Sequence, residues 1–149
     1  MVFLFFSIPA MFPHSLLETL RDNYFKVNTE EISLDEFKNV LNNTQSSSTE
    51  IEGYKIMLWF LKAKDYVNPI SKLEAFNKGK KLLEELLIKN PNNFELHFLR
   101  LTIQDHSPSF LGYNGSIKED EKFINIQIEK LSDSDLRKRV LMYLKDGRN

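Results

Sequence analysis

The chain has 149 residues, of which 42% are hydrophobic and 28% are charged, and its formal net charge is -1. This length fits one domain with a core of its own, and the balanced charge excludes a nucleic-acid footprint or an acidic tail. With no cysteine, the chain has no disulfide, thiolate metal ligand or cysteine nucleophile, but its cellular compartment stays open.

The N-terminus carries the one compartment signal. Residues 2–12 are apolar except for Ser7, a length typical of the hydrophobic region of a signal peptide and too short to span a bilayer. We therefore expect an apolar leader over 1–12, a single all-α domain over 13–147, and export to the periplasm or cell envelope. The alternative is a cytosolic protein of structural role whose first segment belongs to the core. No internal apolar run is long enough to predict a stable membrane span.

The first half of the domain shows helical spacing of apolar residues. A helix is predicted from Pro13 to about Lys26, with charged residues such as Arg21 facing away from the core. Ser33 and Glu36 match a capping box and predict the start of a second, short helix. A third helix over 50–67 has apolar residues on more than one face, so we expect neighbours to cover it on several sides.

The second half continues the same pattern. A helix is predicted over 71–89 after a proline. Ser116 and the acidic residues 119–121 predict another capping box and favourable first-turn charges, in a helix that ends near 131. A last helix begins near 134 and ends at Gly147. No segment alternates with period two, so the pattern predicts an all-α fold of six to seven helices packed as antiparallel hairpins.

Residues 75–101, AFNKGKKLLEELLIKNPNNFELHFLRL, resemble the junction between two tetratricopeptide repeats: a helix, an Asn-Pro-Asn-Asn turn, and a helix that Asn93 can cap. No second copy follows at a 34-residue period, so the resemblance is to a degenerate form. Residues 94–123 are also similar to small exported bacterial helical proteins with repeat-like hairpins. These resemblances imply a helical-hairpin domain that binds another molecule, and they assign no particular activity to it.

The helix after that turn carries polar residues between two apolar faces. On a helical wheel from Phe94, one polar seam contains His97, Arg100 and Gln104, and Glu95 lies on the other seam. The two apolar faces predict a helix buried between layers. Arg100 then needs acceptors, because breaking a buried ion pair costs about 3–5 kcal/mol.

Two interpretations of these acceptors are open. In the first, backbone carbonyls of the loop 107–115 accept hydrogen bonds from Arg100 and Gln104, while residues 110–111 fill the core. In the second, Arg100 binds a carboxylate such as a peptide terminus with two parallel hydrogen bonds, and Tyr113 donates a third. The candidate ligand-binding or partner-binding residues are Arg100, Gln104, Tyr113, His97 and Glu95.

Enzymatic alternatives have less support in the sequence. No metal-ligand spacing, nucleophile motif or glycine-rich phosphate loop is present, so we expect no metal and no cofactor. A small hydrolase-like enzyme would use His97 or His106 as general base beside Glu95 or Asp105. The leading hypothesis is a non-enzymatic interaction or scaffold module whose contact surface is the groove along 95–104.

Overall fold

The computed structural model describes residues 15–147, and over that range the protein is all-helical, as the apolar spacing predicts. The described residues form seven α-helices and no strand, with short 3-10 turns at 109–111 and 128–130. The predicted leader over 1–12 and the helix start at Pro13 lie outside the described residues. The helices are α1 (Leu16–Asn28), α2 (Leu34–Asn42), α3 (Thr49–Asp65), α4 (Pro69–Lys89), α5 (Phe94–His106), α6 (Ile117–Gln127) and α7 (Ser134–Asp146).

Side-chain caps begin most of these helices. At Ser15 and at Ser33 both halves of a capping box form, which confirms the box predicted for α2. Asn93 caps α5 as predicted, because its side chain accepts from the backbone N–H of Leu96. The box predicted at Ser116 is wrong: its backbone, with φ -100° and ψ 1°, is not extended as a capping residue requires, and its side chain makes no capping hydrogen bond.

The central position predicted for α3 is confirmed. This helix packs against α1, α2, α4 and α5, and its most extensive contact is with α4. Two glycines allow neighbouring helices to approach α3 closely, Gly53 on the side of α5 and Gly79 on the side of α4. A Cβ atom at Gly53 would lie 2.7 Å from a methyl group of Leu96, and one at Gly79 would lie 2.9 Å from the ring of Phe60. Larger residues at these places would push α5 or α4 away from α3.

The buried apolar residues form two clusters, and α5 contributes to both. Leu96 and Leu99 pack into the larger cluster, which α1 to α4 complete. Leu101 packs into the smaller one with residues that α6 and α7 contribute. The prediction that α5 is buried between layers is therefore confirmed, and its polar residues must find partners inside the protein.

Candidate functional site

Arg100 is buried, and its guanidinium binds carboxylates of the chain itself. Its Nε and Nη2 atoms donate to the two oxygens of Asp120 at 2.8 and 2.7 Å, and Nη1 donates to Glu84 at 2.9 Å. Burial lowers the pKa of Arg100, but these carboxylates outweigh that effect and raise the pKa above its usual value. The acceptors come from α6 and α4, so the prediction of carbonyl acceptors in the loop 107–115 is wrong for Arg100.

Glu84 occupies the place in which the sequence predicts a bound carboxylate. One of its oxygens accepts from Arg100, and the other accepts from the Tyr113 hydroxyl at 2.6 Å. Burial raises the pKa of Tyr113, and the hydrogen bond to Glu84 raises it further. An external carboxylate on Arg100 and Tyr113 would therefore have to displace Glu84. The binding role of these two residues stays a prediction.

His97 adjoins the same pair and is held at both ring nitrogens. Nδ1 lies 2.6 Å from Asp120, and Nε2 lies 2.8 Å from the backbone carbonyl of Pro91. Both partners are acceptors, so this arrangement favours the doubly protonated ring. Burial lowers the pKa of His97, but these two hydrogen bonds outweigh it and raise the pKa. Both ring nitrogens are thus engaged inside the protein, so neither is free to contact a substrate proton in this arrangement.

Gln104 completes the predicted seam. It is buried one turn beyond Arg100, and its amide lies beside the Tyr113 hydroxyl. This contact with Gln104 lowers the pKa of Tyr113, whereas burial and Glu84 raise it. Its Oε1 atom has no hydrogen-bond partner within residues 15–147. The structure thus brings together four of the five predicted site residues, in what we name the Arg100 cluster: Glu84, His97, Arg100, Gln104, Tyr113 and Asp120.

Glu95 lies on the other side of α5, as its place on the helical wheel predicts, and is not in the Arg100 cluster. Both of its oxygens accept from Arg21, at 2.7 and 2.8 Å, and one also accepts from the Tyr54 hydroxyl at 2.7 Å. Arg21 further binds Asp133 and Asp135 at 2.9 and 3.0 Å. We name these five residues the Arg21 cluster. The prediction that Arg21 faces away from the core is wrong, because α7 and α5 cover it with carboxylates.

The loop after α5 is a corner whose tip faces solvent. Phe110 is 84% exposed, so the prediction that it fills the core is wrong, whereas Leu111 packs against the larger core cluster. Gly112 turns the chain with a left-handed backbone, φ +61°, and the next residue, Tyr113, points inward. The loop therefore positions Tyr113 in the Arg100 cluster.

The second histidine proposed as a base is exposed on α5. Nδ1 of His106 lies 2.8 Å from the backbone carbonyl of Thr102, and the neighbouring Asp105 accepts from the Tyr143 hydroxyl at 2.9 Å. Two surface clefts have volumes of about 260 and 430 Å³, and no histidine lines either of them. These two clefts therefore offer no substrate site beside either histidine.

A group of exposed apolar residues at the turn between α3 and α4 escaped sequence analysis. The helical pattern places them at the end of α3 and the start of α4, but it does not show which of these side chains no other helix covers. The available signal was that apolar residues stand on both sides of Pro69, a helix-start residue that marks a surface turn. We name them the turn patch: Tyr66, 42% exposed; Val67, 96%; Ile70, 69%; and Leu73, 46%.

Over residues 15–147, no helix is long and apolar enough to cross a membrane, and no group of three His, Asp or Glu side chains could hold a metal ion. Comparison with known proteins found no similarity: no family model matches the chain, and no curated protein or solved structure matches it.

Proposed function

We propose that the protein is a non-enzymatic interaction module that binds a partner protein through the turn patch. The observation that supports this most is the exposure of four large apolar side chains within residues 66–73. Single exposed apolar residues are ordinary on a soluble protein, but a group of them on one surface is typical of a binding site.

The turn patch is also held in a defined conformation. The side chain of Asn68 caps α4 by accepting from the backbone N–H groups of Ile70 and Ser71, and Pro69 occupies the first helical position. Ile70 and Leu73 are three residues apart on one face of the helix. A patch on a fixed backbone loses little conformational entropy on binding, which favours affinity.

The groove along 95–104 is a weaker candidate for the contact surface than the sequence suggests. Helix α5 is covered on both sides, and the Arg100 and Arg21 clusters satisfy its charged groups internally. A partner that used Arg100 would have to replace an existing ion pair, whereas a partner on the turn patch would cover apolar surface that water now contacts. Binding at the turn patch therefore has the lower free-energy cost.

The test is a photo-crosslinking residue placed at Val67 in the protein expressed in its native host. Ile88 is the matched control, because it is also an exposed apolar residue of the α3–α4 pair but lies at the other end of α4. We expect a specific crosslinked protein from position 67 and none from position 88. The paired substitution Ile70→Ser and Leu73→Ser should abolish that crosslink while the circular dichroism spectrum stays unchanged. Equal crosslinking from both positions would contradict the proposal.

The module is proposed to act in the periplasm or cell envelope, on the strength of the apolar run over 2–12 alone. The mass of the N-terminus, measured on protein from separated soluble and envelope fractions, tests this. A shortened N-terminus in an envelope or periplasmic fraction would support export. An intact one in the cytosol would support the alternative in which this run belongs to the core.

A further inference from the structure

A cleft of about 430 Å³ lies where the loop between α1 and α2 meets the end of α3. Its apolar lining comes from three elements: Val27 of α1, Ile32 and Leu34 around the start of α2, and Leu61 of α3. The volume is within the range of sites that hold small ligands or a few side chains, which is about 300–1,000 Å³. The cleft is therefore large enough to receive apolar side chains from another molecule.

The same cleft is acidic. Glu30, Glu31, Glu36 and Asp65 line it together with a single lysine, Lys64, which leaves a formal charge of -3. Such a lining attracts an occupant that combines apolar and positively charged side chains.

Helix α7 presents a surface of that kind. Leu141 and Met142 are exposed, and Lys138 and Lys145 are exposed on the same side of the helix. Their spacing of i, i+3, i+4 and i+7 is that of a helix that inserts one face into a groove. The opposite side of α7 packs into the smaller core cluster through Leu136 and Val140, so none of residues 15–147 covers this stripe. We name the four exposed residues the α7 stripe.

We propose that the α7 stripe of one copy of this chain docks into the acidic cleft of a second copy, in a head-to-tail contact. The two surfaces are complementary in charge and in apolar character, and they belong to different parts of the chain. A head-to-tail contact leaves a free cleft at one end and a free stripe at the other, so it continues into longer assemblies or closes as a ring. The cleft ends at Asp65, next to the turn patch in the chain, but none of the four turn-patch residues lines it, and this proposal does not rest on the proposed function.

A single helix face against one cleft is a small interface, below the roughly 1,200 Å² that weak and transient complexes bury at most. We therefore expect self-association that depends on protein concentration and is reversible. Because exposed charges take part, association should weaken as salt is raised from about 0.05 to 0.5 M, over which the screening length falls several-fold.

Sedimentation velocity over a range of concentrations tests the proposal with two variants. The stripe variant carries Leu141→Ser and Met142→Ser, and the cleft variant carries Glu30→Lys and Asp65→Lys; all four positions are exposed, so both variants should fold. Each should lower the association constant about tenfold or more, the scale of a central interface contact. The control Glu129→Lys reverses an exposed charge outside both surfaces and should associate like the wild type.

A mixture of the two variants is the decisive sample. The intact cleft of the stripe variant can bind the intact stripe of the cleft variant, so the mixture should form dimers that do not grow further. A self-complementary contact would give no such rescue. A wild-type chain that stays monomeric at every concentration would overturn the proposal, and so would association that survives in both variants or a mixture that forms no dimer.

Discussion

Replacing Asp120 with alanine tests whether the Arg100 cluster is a true buried ion network. Asp120 is fully buried, and its carboxylate receives two hydrogen bonds from Arg100 and one from His97. Without it, the buried guanidinium of Arg100 loses its paired acceptor and keeps Glu84, and His97 loses the carboxylate that raises its pKa. Breaking a buried ion pair from one side costs about 3–5 kcal/mol, so Asp120→Ala should lower the free energy of unfolding by that amount.

Urea unfolding followed by circular dichroism measures this loss. A loss of this size is a large part of the 5–15 kcal/mol that typically stabilises a whole domain, so the midpoint should shift clearly with little change in slope. Glu119→Ala is the matched control on the same first turn of α6. Glu119 also pairs with Arg100, but at 3.9 Å and with a side chain that is 72% exposed, so its loss should cost at most about 1 kcal/mol.

Equal effects of the two substitutions would refute this reasoning, because burial would then add nothing to the value of the carboxylate. A double substitution distinguishes the cost of one unpaired buried charge from the net contribution of the Arg100–Asp120 ion pair. Replacing both Arg100 and Asp120 with leucine should destabilise the protein by less than the two single changes added together, since no uncompensated charge remains between them.

Three further predictions concern pH, helix caps and the corner loop. The pKa of His97 is raised on folding, so its stabilisation should be complete below the ordinary pKa of about 6.5 and should be lost as pH rises through the folded value. Unfolding free energies measured across that window should fall with pH in the wild type and should fall less in His97→Gln. Ser33→Ala should cost about 0.5–2 kcal/mol in urea unfolding, whereas Ser116→Ala should cost almost nothing because Ser116 makes no side-chain cap. Gly112→Ala should lower the melting temperature, since an L residue in the left-handed region costs about 1–2 kcal/mol, while Gly115→Ala, in the same loop and without positive φ, should leave it unchanged or higher.

Local signals in the sequence were enough to predict the fold class and most helix boundaries. The box at Ser33 and the cap at Asn93 depend on residues within three positions of each other, so they can be recognised without knowledge of the fold. Ser116 has the same pattern and fails, because the corner before α6 sets its backbone conformation. A capping motif predicts a helix start only where the preceding chain can be extended.

Of the candidate site, only the residues on α5 could be predicted from the sequence. The wheel of α5 correctly groups His97, Arg100 and Gln104 and puts Glu95 elsewhere. The acceptors escaped prediction because Glu84 and Asp120 lie 16 and 20 residues from Arg100, on helices where a charged residue ordinarily faces solvent. Periodicity shows which residues share a face, but it does not show which helix will cover that face.

The two ion clusters together define how α5 sits in the protein. Its two apolar faces alone would tolerate several rotations and shifts between the neighbouring helices, because leucine and phenylalanine pack without strong direction. Arg100 and Glu95 do not tolerate them, since each makes paired hydrogen bonds with fixed geometry to a partner on a different helix. A shift of α5 by one turn would leave charges buried without partners on both sides at once. The clusters therefore favour one arrangement over its competitors, even though buried ion pairs add little net stability compared with apolar packing.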